Sequence, residues 1–119
     1  MNISSKSTRK SLKAIEKIAG MKLTLGKLIW AIREGEGVSQ INFAEKLNIS
    51  RQHLCDLEHN RKTVSPKLAA TYAEQLGYSK AQFIRLCLQD MIDREGLNVY
   101  VEVTIKKNRR NKNQDLAFA

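Results

Sequence analysis

Only one proline and two cysteines occur among the 119 residues, and Phe, Trp and Tyr together make up 6% of them. Cys55 and Cys87 stand far apart, each inside an apolar helical pattern, so neither a disulfide framework nor a paired-thiol metal site follows. A reducing cytoplasm is the expected compartment. The shortage of aromatics calls for a mainly aliphatic core, which suits small packed helices. Long hydrophobic runs are missing as well. The longest, Leu28 to Ile32, falls far short of the roughly 20 residues that cross a bilayer, and the N-terminus lacks the apolar stretch of a secretory signal. No Ser/His/Asp order, no paired carboxylates in an apolar setting and no Gly-rich phosphate loop can be found, so the expectation is a protein that is not an enzyme and needs no cofactor. His53, His59, Cys55 and Cys87 are the conceivable zinc ligands, and Cys55 and His59 do share a helical face; surface histidines and a core Cys87 are the ordinary explanation, and no metal is expected.

What the chain does have is positive charge, a formal +9, placed at its ends. Lys6, Arg9, Lys10, Lys13, Lys17 and Lys22 face one acid, Glu16, before residue 24. Lys106, Lys107, Arg109, Arg110 and Lys112 outnumber Glu102 and Asp115 after residue 95. The stretch between is close to neutral. Basic ends around a neutral body fit a partner that is a polyanion, tracked by the ends through counterion release and contacted specifically by the body. The plainer reading is that the ends are solvated tails.

Three segments emerge: a basic extension, 1–23; a helical domain, 24–95; and a C-terminal segment, 96–119. In the extension, Leu12, Ile15, Ile18 and Ala19 predict a short helix over Ser11–Ala19. Thr24 caps a helix Leu25–Glu34 that Gly35 and Gly37 break; Ser39 caps a second that stops at Asn48; Ser50 caps a third, Arg51–Glu58. After the loop His59–Thr63, Ser65-Pro66 opens a fourth helix closed by Gly77, and Ser79 caps a fifth to about Arg94. From Asn98 to Ile105 the period changes to two, with Val99, Val101, Val103 and Ile105 on one face, which predicts a single β-strand. A lone strand needs a neighbour, and pairing with a second copy of itself is the economical solution. The tail from Lys106 is expected to be disordered.

Two short helices joined by one tight turn can hold a polar helix face proud of a small core, and a major groove admits one such helix. The run from Ser39 to Glu58, SQINFAEKLNISRQHLCDLE, resembles the helix-turn-helix of phage repressors, Cro and the bacterial Xre regulators, over about Thr24–Phe83. The shared features are the Ser-Gln start, Ala44 between the two helices, Leu54 with Leu57, and a closing Leu-Glu before a basic loop. The fold implied is all-α: a five-helix lambda-repressor-like domain carrying the short N-terminal helix and the C-terminal dimerising strand. The resemblance implies that Gln40 approaches a phosphate and buttresses the recognition helix, that Ser50, Arg51, Gln52, Cys55 and Asp56 face the groove, and that Arg33 pairs with Glu58. Asn48 and Asn60 stand where the family most often has Gly, a mild change because Asn tolerates positive φ. Arg51 suits guanine and Gln52 adenine by hydrogen-bonding pattern, Asp56 either accepts from cytosine or pairs with a base such as Arg51, and Asn60, Arg61 and Lys62 are phosphate candidates. A plain solvated face and loop are the competing readings.

The function so implied is a transcriptional regulator, a repressor by resemblance, binding double-stranded DNA as a homodimer on an inverted repeat. The alternative is an antitoxin that also binds a cognate toxin, since several antitoxins resemble this family and the two ends have no assigned work. A non-specific nucleic-acid binder would need only the basic ends.

Overall fold

The computed structural model describes residues 22–106. The predicted helix over Ser11–Ala19 and the tail beyond Lys106 lie outside them. Five α-helices are found among the described residues: α1 Leu25–Glu36, α2 Gln40–Leu47, α3 Arg51–Glu58, α4 Pro66–Leu76 and α5 Lys80–Arg94. Every one starts the same way. The hydroxyl oxygens of Thr24, Ser39, Ser50, Ser65 and Ser79 accept the backbone N–H of Lys27, Asn42, His53, Leu68 and Gln82, satisfying one otherwise orphaned donor per helix.

The stops are equally local. Asn48 (φ 61°) ends α2 in the left-handed region, as the tight turn requires, and Asn60 (φ 60°) reverses the chain after α3. The first helix runs two residues further than its glycines suggested, through Gly35 to Glu36, and Gly37 (φ 67°) is the residue that closes it. A helical glycine is a weak point and not a barrier, so Gly35 alone does not stop a well-capped helix.

The core gathers Leu25, Leu28, Ile29 and Ile32 of α1, Phe43, Ala44 and Leu47 of α2, Leu54 and Leu57 of α3, Ala69, Tyr72, Ala73 and Leu76 of α4, and Phe83, Leu86 and Cys87 of α5. Aliphatic residues dominate by number, but Tyr72, Phe43 and Phe83 are its three largest fully buried side chains. Packing is closest between α4 and α5; α2 and α3 form a second pair, bridged to the first by α2 against α4 and by α1 against α3 and α5. That arrangement leaves the outer face of α3 uncovered.

The predicted C-terminal strand is not formed. Residues 97–106 are in no regular secondary structure, and no strand occurs among the described residues. One edge is instead occupied by a side chain: Gln89 of α5, 3% exposed, donates from Nε2 to the Val99 carbonyl (2.9 Å) and accepts the Val101 N–H at Oε1 (2.8 Å). A carboxamide has the donor and acceptor of a peptide group, so it replaces one rung of a sheet. Arg85 stacks over Tyr100, 5.1 Å from the ring centroid, and fastens the same stretch. No described helix is long and apolar enough to cross a membrane.

Candidate nucleic-acid interface

The outer face of α3 begins with Ser50, Arg51 and Gln52, all exposed, while Leu54, Leu57 and Glu58 on the opposite face are buried. Ser50 spends its oxygen as a cap on His53 N–H, leaving its hydroxyl proton to donate outward. Arg51 and Gln52 are the first two residues of the helix.

Arg51 is not left to wander. Its Nη1 donates to Gln40 Oε1 (3.1 Å), and Gln40 Nε2 donates to Glu58 Oε1 (2.9 Å). Glu58 in turn is gripped by Arg33 through Nε to Oε2 (2.6 Å) and Nη2 to Oε1 (3.1 Å). Arg33 and Glu58 are 8% and 2% exposed, and Arg33 Nη1 also donates to the Val38 carbonyl. Hydrogen bonding to Glu58, opposed by burial, pushes the Arg33 guanidinium above its ordinary range, so its positive charge persists. The chain Arg33–Glu58–Gln40–Arg51 therefore connects α1, α2 and α3 and delivers orientation from the core to the surface. The expected Arg33/Glu58 pair is formed, and Gln40 is found between that pair and Arg51.

A second cluster holds the next residues. Asp56 Oδ1 accepts from Gln52 Nε2 (3.1 Å) and from Arg61 Nε (2.9 Å), so the base paired with Asp56 is Arg61 and not Arg51. The backbone explains the choice: beyond α3 the left-handed Asn60 turns the chain back, and the N–H groups of Arg61 and Lys62 both reach the Asp56 carbonyl. The Arg61 guanidinium, followed by Gln52, holds the Asp56 carboxyl below the usual carboxylate range against the effect of desolvation. Arg61 Nη2 also reaches Cys55 Sγ (3.4 Å). Cys55 and His59 do share a face; His59 Nδ1 lies 2.8 Å from the Cys55 carbonyl, where a protonated Nδ1 closes the helix end. No cluster of three or more metal-ligating side chains occurs among the described residues.

Asn60 is exposed but engaged, accepting from the Thr24 hydroxyl at Oδ1 (2.9 Å), which ties the basic loop to the start of α1. Lys62 is exposed on that loop. Sequence reasoning missed this tie and the residue beneath it, Gly26, which is buried against Leu57. The available signal was a glycine in the first turn of a capped helix, where a better helix former is expected unless close packing needs Gly.

Comparison with known proteins agrees with this geometry. Residues 31–83 match the helix-turn-helix family. Over 55 residues the chain is 38% identical to the immunity repressor protein of Bacillus phage phi105, a match covering 46% of this chain and 38% of that protein. The chain thus spans well under half the length of this relative. Two crystal structures of the clp gene regulator ClgR from Corynebacterium glutamicum are also similar. One is 33% identical, covering 56% of this chain and 87% of that one; the other is 24% identical, covering 79% and 87%; both have a TM-score of 0.46. The matched family is one of DNA-binding regulators and not of enzymes. Over residues 31–83 this chain is similar to the helix-turn-helix family, and over 55 residues to a phage immunity repressor.

Proposed function

We propose that this protein is a sequence-specific transcriptional regulator, a repressor, that reads double-stranded DNA by placing α3 in the major groove. The single observation that carries the reading is that Arg51, exposed at the first turn of α3, is anchored through Gln40 to a buried ion pair. A merely solvated face has no use for such support, whereas base readout needs side chains held in place before binding. Arg51 and Gln52 read bases; Ser50 and Cys55 line the groove; Gln40, Asn60, Arg61 and Lys62 lie along the phosphates. The protein works in the cytoplasm of a bacterium. Selection of bound duplexes from a random pool tests this: an enriched half-site repeated about one helical turn away in inverted orientation supports it, and a pool that stays random contradicts it.

The regulator acts as a homodimer joined through α5 and the extended segment that follows. Leu97, Val99, Tyr100 and Ile105 remain more than half exposed there, at 53%, 54%, 57% and 51%. Since Val99 and Val101 turn their backbone groups toward Gln89, alternation directs those of Glu102 and Thr104 the other way, toward a second copy. Thr104→Pro, which leaves the Gln89 bonds in place, shifts the dimer toward monomer in sedimentation equilibrium; an unchanged dimer excludes this joint. The same exposed apolar row is what an antitoxin would offer a toxin. Rescue of growth when this chain is co-expressed with the product of an abutting gene distinguishes that reading.

A further inference from the structure

Asp56 sits one turn beyond Gln52 on α3, and both of its side-chain bonds run through the same oxygen, Oδ1, to Gln52 Nε2 and Arg61 Nε. An ionised carboxylate can only accept, so the end of the Gln52 amide turned toward it is the NH2 group, and Oε1 is turned away. One Nε2 hydrogen is given to Asp56 and one is left. The free edge of Gln52 is therefore an acceptor beside a donor, the complement of the N6–H and N7 groups that adenine shows in the major groove.

We infer that Asp56 is a positioning residue that sets what Gln52 reads, by binding the amide's nitrogen and presenting its oxygen to adenine. The inference rests on α3 being the recognition helix. Arg61 makes it workable: a bare carboxylate in the groove is repelled by phosphates, and the guanidinium of Arg61 neutralises Asp56 from the loop side while remaining exposed. Asp56 has Oδ1 committed to Gln52 and Arg61, and its side chain is only 17% exposed, which favours this inward role over direct contact with cytosine. Arg51 is the counterpart. Its Nη1 is committed inward to Gln40, and its remaining donors suit guanine, so the orientation of two neighbouring side chains is fixed by two different inward partners.

The test is selection from a random duplex pool with the full chain as wild type, Gln52→Ala, Asp56→Ala and the double variant, with thermal unfolding as a check on folding. Wild type enriches adenine at one position that Gln52→Ala randomises. Asp56→Ala relaxes that same position roughly tenfold, leaves the Arg51 position intact, and adds nothing in the double variant. Asp56→Asn, of the same shape but able to offer either face to Gln52, gives a smaller relaxation there and serves if the alanine variant does not fold. The inference is overturned if Asp56→Ala alters a different position, which makes it a direct reader, if it changes no position, or if it weakens all positions alike. A wild-type pool without enrichment overturns the reading of α3 itself.

Discussion

Gly26 of α1 lies directly beneath Leu57 of α3: a Cβ on Gly26 would stand 2.1 Å from the Leu57 carbonyl oxygen and 2.5 Å from Asn60 Oδ1. No side-chain rotation relieves a clash with backbone. Gly26→Ala is expected to lose about 1–3 kcal/mol in urea unfolding, the usual cost of overpacking, although alanine is the better helix former. Gly35→Ala is the control, since nothing lies within 4 Å of its Cβ and the helical gain of up to about 1 kcal/mol is free to appear. Equal effects of the two substitutions contradict the close approach of α1 and α3.

The buried pair Arg33–Glu58 has a different signature. Arg33→Met leaves the Glu58 carboxyl buried, 2% exposed, and without its main partner. Such a loss costs about 3–5 kcal/mol, whereas replacing both charges by apolar groups of similar volume costs far less. Urea titration of Arg33→Met beside the Arg33→Met/Glu58→Leu double variant reads the difference. A double variant as unstable as the single one means that the pair is not acting as a unit.

Asp90 adds a pH dependence of its own. Burial, only partly offset by the N–H of Leu25 that it caps, raises its carboxyl above the ordinary range. The folded state therefore holds this proton more tightly than the unfolded chain does, and stability from the group falls as pH rises from the ordinary carboxylate range through the raised value. Asp90→Asn keeps an acceptor for Leu25 N–H and removes the charge. It is expected to unfold at higher urea than wild type at pH 7, with the margin shrinking as pH is lowered through the raised value. A margin that does not change with pH contradicts this.

Gln89 holds the C-terminal segment by the two bonds to Val99 and Val101. Gln89→Ala should abolish hydrogen-exchange protection at the Val101 amide and cost about 1 kcal/mol per bond, while Gln89→Glu, which cannot donate to Val99, should weaken the segment without freeing Val101. Retained protection in the alanine variant means that Arg85 on Tyr100 suffices.

The helices were legible because Ser or Thr before each apolar stripe and Gly or Asn after most of them are local instructions, needing no tertiary help to act. The Arg33–Glu58 pair was legible through resemblance. The strand was misread for a physical reason: alternating valines report one apolar face and an extended backbone, and those are the same whether the neighbour is another strand or the amide of Gln89. Asp56 shows a similar limit. Sequence offered Arg51 as its partner, but the left-handed turn at Asn60 brings Arg61 back onto the helix, a contact set by chain reversal and not by helical spacing.

The central claim, that Arg51 and Gln52 meet nucleobases, is tested most directly by measuring the affinity of wild type and of Arg51→Ala/Gln52→Ala for the selected duplex and for a scrambled duplex at one fixed salt concentration. The double variant should lose roughly 1–3 kcal/mol per contact on the selected duplex and little beyond one cation's worth of attraction on the scrambled one. Equal losses on both would contradict the account.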